Sequence, residues 1–177
     1  HKEELNLDNI NEGKNLFTLY DLTGKEKYAK ATSRIYQQIL EMPRTKEGNF
    51  WHKMIYPNQV WLEGLYMAQP FYIEYENRFN DKKNYEDIFH QFFEVERNMK
   101  DKETGLYYHA YDSERKMFWA DKETGLSRNF WLRSLGWFSM ALLDTLVLAD
   151  KDYPDYDHLQ QMYRDLIDSM LKFQSPE

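Results

Sequence analysis

Apolar residues recur at three- and four-residue intervals along much of this chain, as in Ile35, Ile39 and Met42 or Ile88, Phe92 and Val95. That spacing gathers them on one face of a helix. With Gly24, Pro43, Gly105 and Pro154 as stops, it predicts six helices, over residues 8–20, 25–42, 58–79, 83–100, 128–149 and 155–173. The helices alternate in polarity. The second carries Lys25, Glu26, Lys27, Lys30, Arg34 and Glu41, and the fourth and sixth are similarly charged. By contrast, Glu63 is the lone formal charge between Lys53 and Glu74, and Arg133 and Asp144 are the two between Arg128 and Asp150. A helix apolar all round is buried, whereas one with a charged face lies at the surface. The first, third and fifth helices therefore read as an inner layer and the others as an outer layer. Short links make successive helices antiparallel. The predicted fold class is all-α, with the inner and outer layers of an α/α toroid.

Two long connections, residues 43–57 and 101–127, interrupt this pattern. Long connections in a compact domain often carry function. In the second, the runs 106–111 and 117–120 are expected to pair as a short hairpin. The hexapeptide Asp-Lys-Glu-Thr-Gly-Leu occurs there twice, at 101–106 and 121–126, and both copies read as turns ending in glycine.

Composition narrows the function classes. A length of 177 residues suggests one domain, with enough chain to bury a core. There is no cysteine, which excludes a thiol nucleophile, a disulfide framework and Cys-ligated zinc. The net charge of −7 and the lack of a basic cluster argue against a nucleic-acid partner. No segment reads as a membrane helix or a signal peptide. Aromatic residues make up 17% of the chain while mean hydropathy is −0.85, so much of the apolar bulk lies in rings with polar handles. Such rings suit an aromatic core, and they equally suit the half-wet lining of a sugar cleft.

In an up-down array the inner helices point the same way, so their N-termini share one end of the molecule. Five polar residues fall there: Asp8, His52, Glu63, His109 and Arg133. Converging helix N-termini favour an anionic ligand. Glu63 sits among Gln59, Val60, Tyr66 and Met67, a setting suited to a general acid, or to a Glu paired with a buried base. Asp8 reads as an N-cap of the first helix or as a site acid. His52 and His109 read as structural or as site histidines. Arg133, expected to be buried in an apolar helix, needs an anion from the protein or from a substrate. Trp61, Trp131 and Trp137 suit core packing or sugar stacking. No metal-ligand spacing, phosphate loop or serine elbow is present.

Several motifs resemble the unsaturated rhamnogalacturonyl and glucuronyl hydrolases of glycoside hydrolase families 105 and 88, family 105 more closely. In order along the chain they are Leu7-Asp8-Asn-Ile-Asn-Glu-Gly13, Phe50-Trp-His52-Lys53 with Tyr56-Pro57, and Gln59-Val-Trp61-Leu-Glu63-Gly-Leu-Tyr-Met67. Gly105-Leu-Tyr-Tyr-His109-Ala-Tyr-Asp112, Trp119-Ala-Asp121 and Phe130-Trp131-Leu-Arg133-Ser-Leu-Gly136-Trp137 follow. The resemblance implies an (α/α)6 barrel that removes a 4,5-unsaturated uronic acid from a lyase-generated chain end. It implies hydration of the double bond: an acid protonates C4, water adds at C5, and the hemiketal opens with loss of the glycosidic bond. Glu63 falls at the catalytic acid, Asp8 at the second acid, and His52, Trp61, His109, Arg133 and Trp137 at substrate-binding positions. The family usually has Asp where Glu63 stands, and an acid misplaced by about 1 Å can cost roughly a hundredfold in rate.

Residues 1–177 then read as the middle part of such a barrel. The implied partner is an unsaturated uronyl oligosaccharide, with no cofactor, no metal, no nucleic acid and no membrane. Open barrel edges would favour self-association. Two alternatives stand beside this reading: another α/α-toroid glycosidase acting on a saturated sugar, and a non-catalytic carbohydrate-binding or interaction fragment.

Overall fold

The computed structural model describes residues 4–175. It contains α1 (Asp8–Asn11), α2 (Lys14–Thr23), α3 (Glu26–Glu41), β1 (Gln59–Trp61), α4 (Leu62–Phe79), α5 (Tyr85–Met99), β2 (Ala110–Asp112), α6 (Leu132–Leu148) and α7 (Tyr156–Leu171). The long helices form three hairpins: α2 with α3, α4 with α5, and α6 with α7. They make up a partial α/α toroid, as the alternation of polarity predicts. No helix among the described residues is long and apolar enough to cross a membrane.

The core gathers around α4, which packs most extensively on α6 and also meets α1 and α5. Its Leu62, Leu65, Ala68, Phe71, Tyr72 and Ile73 are buried. Glu76, near its C-terminal end, is buried too, and its carboxylate accepts hydrogen bonds from Tyr36 Oη at 2.8 Å, Asn84 Nδ2 at 2.9 Å and Asn80 Nδ2 at 3.0 Å. A buried carboxylate needs such donors, and these tie α3 and the α4–α5 link to one point. The outer helices α3, α5 and α7 turn one apolar face inward, with Ile39, Phe92 and Leu166 all buried.

Pro70 lies inside α4. Proline has no N–H, so the carbonyl one turn earlier, that of Tyr66, loses its helical donor. Lys14, the first residue of α2, supplies a replacement: its Nζ donates to the Tyr66 carbonyl oxygen at 3.0 Å and sits 3.5 Å from the centre of the Tyr66 ring. Burial lowers the Lys14 ammonium to about 8, opposed by the charge of Asp144.

Four details differ from the sequence reading. The first helix is broken into α1 and α2 around Glu12 and Gly13. The third begins at Leu62, after a strand rather than at residue 58, and the fifth begins at Leu132 rather than at 128. Residues 106–111 and 117–120 do not pair as a hairpin; β2 instead runs antiparallel to β1, with Gln59 opposite Asp112 and Trp61 opposite Ala110. The cause is Asp112. Its buried carboxylate accepts the backbone N–H groups of Glu114 (3.0 Å), Lys116 (2.7 Å) and Met117 (2.8 Å), curling the chain away from β2. Leu126 forms a bridge with Tyr111 in place of that segment.

Candidate active site

The site is built at the end of the helices where β1 and β2 lie. Three extended segments align there. Leu7 N donates to the His52 carbonyl at 3.1 Å, His52 N to the Gln59 carbonyl at 2.8 Å, and Leu62 N to the His109 carbonyl at 3.0 Å. This backbone layer sets Asp8, His52, Trp61, Glu63 and His109 along one ledge.

Asp8 and His52 meet directly. His52 Nε2 donates to Asp8 Oδ1 at 3.3 Å, and Lys53 Nζ binds Asp8 Oδ2 at 2.6 Å. Asp8 is held down at about 2, chiefly by the hydrogen bond from His52, with Lys53 adding to it and partial burial opposing it. Asp8 is therefore ionised across the neutral range. It is not the N-cap: the N-cap position is Leu7, whose backbone is already helical, and the Asp8 side chain is turned to His52 and Lys53.

His52 is almost completely buried, at 3% exposure. Its ring stacks on Trp61 with centroids 4.4 Å apart, and Trp61 stacks in turn on Tyr56 at 5.1 Å. His52 Nδ1 is buried with no hydrogen-bond partner and faces Gly64, where an added Cβ would lie 2.9 Å away. Residue 64 is thus a glycine because His52 needs the space.

Glu63 occupies the first turn of α4, next to that glycine. Gln59 and Val60 are strand residues and not its helical neighbours; Tyr66 and Met67 follow it one turn on. The Glu63 side chain is half-buried, and its Oε2 is buried without a protein partner. The two carboxylates thus differ in kind. Asp8 is fully paired, whereas Glu63 keeps a desolvated oxygen free.

Beyond Trp61, His109 is half-buried with Nδ1 3.4 Å from the Asn129 carbonyl oxygen, and it meets the edge of Trp131 at 5.9 Å. The Arg133 guanidinium lies over the Trp131 ring at 4.0 Å. Arg133 is exposed, not buried as its apolar helix predicts, and it makes no ion pair among the described residues. The reason is its place in the first turn of α6, where the side chain reaches solvent across Trp131. Trp137, one turn further, is half-buried against Tyr66 with ring centres 4.8 Å apart. Six of the seven sequence candidates therefore fall in two groups, the first completed by Lys53, and Trp137 stands apart. Lys53, Asp8, His52 and Trp61 join beside Glu63, and His109 and Arg133 join through Trp131. Trp137 reaches α4 through Tyr66.

Sequence reasoning gave no role to Lys53, Gly64, Lys14 or Asp112. Pro70 was a readable signal for Lys14, since a proline inside an apolar helix orphans a carbonyl at a known position. The pairing of Lys53 with Asp8 depends on the Asn6–Lys53 bridge between distant segments, and no local pattern encodes it.

The chain resembles known proteins in sequence and in fold. The chain is 26% identical over 176 residues to the unsaturated rhamnogalacturonyl hydrolase YesR of Bacillus subtilis (strain 168), covering 96% of this chain and 49% of that protein. A structure of a glycoside hydrolase from family 105 of C. acetobutylicum ATCC 824 superposes with a TM-score of 0.96 at 47% identity, covering 99% of this chain and 49% of that one. A glycosyl hydrolase family 88 structure from Bacteroides vulgatus shares the fold at a TM-score of 0.68 and 20% identity, over 93% and 43% of the two chains. The chain thus spans about half the length of the relatives it matches. The model of Glycosyl Hydrolase Family 88 matches residues 1–177, and the chain belongs to that family.

Proposed function

We propose that the chain supplies the catalytic face of a glycosidase that removes a 4,5-unsaturated uronic acid from the non-reducing end of lyase-generated oligosaccharides, those of rhamnogalacturonan first. The observation that carries this reading is the contrast between the two carboxylates. Glu63 keeps a buried oxygen with no protein partner, while Asp8 is pinned as an anion by His52 and Lys53.

Glu63 is the proton donor in this scheme. It delivers its proton to C4 of the double bond, and water adds at C5. The proton of that water returns to the Glu63 carboxylate, so the acid is regenerated. The hemiketal then opens and the glycosidic bond is lost. Asp8 cannot donate at neutral pH, and it serves to orient the water and offset positive charge developing on the ring. In this scheme Arg133, exposed over Trp131, binds the uronate carboxylate, and His52, Trp61, His109 and Trp137 shape the pocket around it. Family membership and the likeness to YesR support the unsaturated substrate. The ordinary two-carboxylate glycosidase scheme fits less well, because Asp8 is tied up by His52 and Lys53.

The test is a substitution. Glu63→Gln should slow consumption of the double bond by roughly 10²–10⁴, the usual worth of a general acid, while the oligosaccharide still binds. A shift in thermal unfolding with turnover intact would make Glu63 structural. Cleavage of a saturated substrate of the same linkage would favour the ordinary glycosidase.

A further inference from the structure

The second long connection builds a pocket of which the scheme above uses only Trp61 and His109. The two Asp-Lys-Glu-Thr-Gly-Leu copies fold alike. Asp101 Oδ2 accepts Thr104 N and Oγ1 at 2.8 and 2.6 Å, and Asp121 Oδ1 accepts Thr124 N and Oγ1 at 2.7 and 2.9 Å. Gly105 and Gly125 close the turns in the left-handed region, at φ 75° and 81°. The first copy launches the segment that carries His109 into β2. The second launches the segment that carries Arg128 and Asn129. Between them the loop pinned to Asp112 presents Phe118 and Trp119.

These segments enclose a cavity of about 450 Å³ lined by Trp61, His109, Phe118, Trp119, Arg128 and Asn129 among others. That volume lies in the range of small-molecule sites, roughly 300–1,000 Å³. Its two most telling residues have no structural employment. Phe118 is 84% exposed although the turn before it is fixed by three hydrogen bonds to Asp112. Arg128 is exposed and makes no ion pair among the described residues, in a chain whose acidic side chains outnumber basic ones 30 to 23. A fixed exposed ring, a second indole and a free guanidinium around one cavity make a recognition surface for a ring with an apolar face and a negative charge. Trp61 and His109 join this pocket to Glu63, since Trp61 precedes Glu63 by two residues and His109 bonds the intervening backbone.

We infer that this pocket is a subsite for the part of an acidic oligosaccharide that follows the terminal uronyl ring. Phe118 and Trp119 take the sugar faces, and Arg128 takes a carboxylate. The inference rests on the proposed function for the position of the terminal ring. Its own chemistry needs no double bond.

A saturated acidic trisaccharide, trigalacturonate, therefore tests it apart from turnover. Binding to the full chain is followed by tryptophan fluorescence, which Trp61 and Trp119 report, and by calorimetry. The expected result is saturable binding that Arg128→Gln weakens on the order of tenfold and Phe118→Ala weakens measurably. Neutral maltotriose should bind the wild-type chain much more weakly than trigalacturonate. Both side chains are exposed, so both variants should fold, which circular dichroism checks. No binding by the wild type, or equal affinity in both variants, overturns the subsite. If Arg128-dependent binding appears while no double bond is consumed, the pocket stands and the hydration scheme fails. Consumption with no Arg128 dependence of binding gives the reverse.

Discussion

Asp8 and Glu63 are both acidic residues at the start of a helix, and their surroundings differ in kind: Asp8 is paired with His52 and Lys53, whereas Glu63 Oε2 is buried without a partner. Asp8 sits at about 2 against an ordinary value of 3.8, with the His52 hydrogen bond as the main cause. Below both values the carboxyl is protonated whether folded or not, and its contribution vanishes. Above about 4 the contribution is full. Stability should therefore fall as pH drops from about 4 to about 2. Because the Asp8 side chain is 41% exposed, screening reduces the effect to on the order of 1 kcal/mol. Urea unfolding across that window should show this loss in the wild type and a flatter profile in Asp8→Asn. Gly64 offers a second residue-scale test. A Cβ there would lie 2.9 Å from His52 Nδ1 and 3.0 Å from a Leu7 methyl. Gly64→Ala should cost about 1–3 kcal/mol, in line with overpacking of a filled site. It should also displace His52 from Asp8, raising the Asp8 carboxyl in a carbon-detected NMR titration.

At the scale of the element, α4 depends on a partner outside itself. Pro70 removes the donor for the Tyr66 carbonyl, and Lys14 replaces it from α2. Lys14→Met should destabilise the fold by about 1 kcal/mol, the net cost of an orphaned carbonyl after the Lys14 ammonium is spared burial. In a Pro70→Ala background the same change should cost much less, because residue 70 then donates to Tyr66 itself. A double-mutant cycle by urea unfolding measures that coupling, and additivity would remove the link. Helix identity was legible here because the apolar spacing and the lone charge Glu63 mark α4 as buried. Its start was not. Residues 59–61 look helical in pattern, yet their backbone groups pair with β2, fifty residues away in sequence. Asp112 hid in the same way. Nothing in its neighbourhood says that its carboxylate gathers three N–H groups and cancels the expected hairpin. Local patterns record propensity, whereas these features arise from contacts between distant segments.

For the molecule as a whole, the inner and outer layers follow directly from the alternation of charged and uncharged helices. The convergence of Asp8, His52, Glu63 and His109 on one ledge follows from the up-down order of the inner helices. Arg133 is exposed where an apolar helix predicts burial, because the first turn of α6 opens to solvent. One side of the half-toroid remains apolar. Leu132, Met140, Leu143 and Val147 fall at helical spacing on α6 and are exposed, as is Leu171 on α7. A patch of this kind favours association. Sedimentation at increasing concentration should show self-association, and Leu132→Glu combined with Val147→Glu should restore the monomer; a monomer at all concentrations would remove this expectation.

Hydration of a 4,5-unsaturated uronyl ring on this ledge is best followed by ultraviolet absorbance. The chain is mixed with the unsaturated rhamnogalacturonan disaccharide and the absorbance of the conjugated double bond is followed in time. The wild-type chain should give a steady loss, slowed by roughly 10²–10⁴ in Glu63→Gln. Undiminished absorbance with the disaccharide bound, and with Glu63→Asp equally inert, would contradict hydration on this ledge.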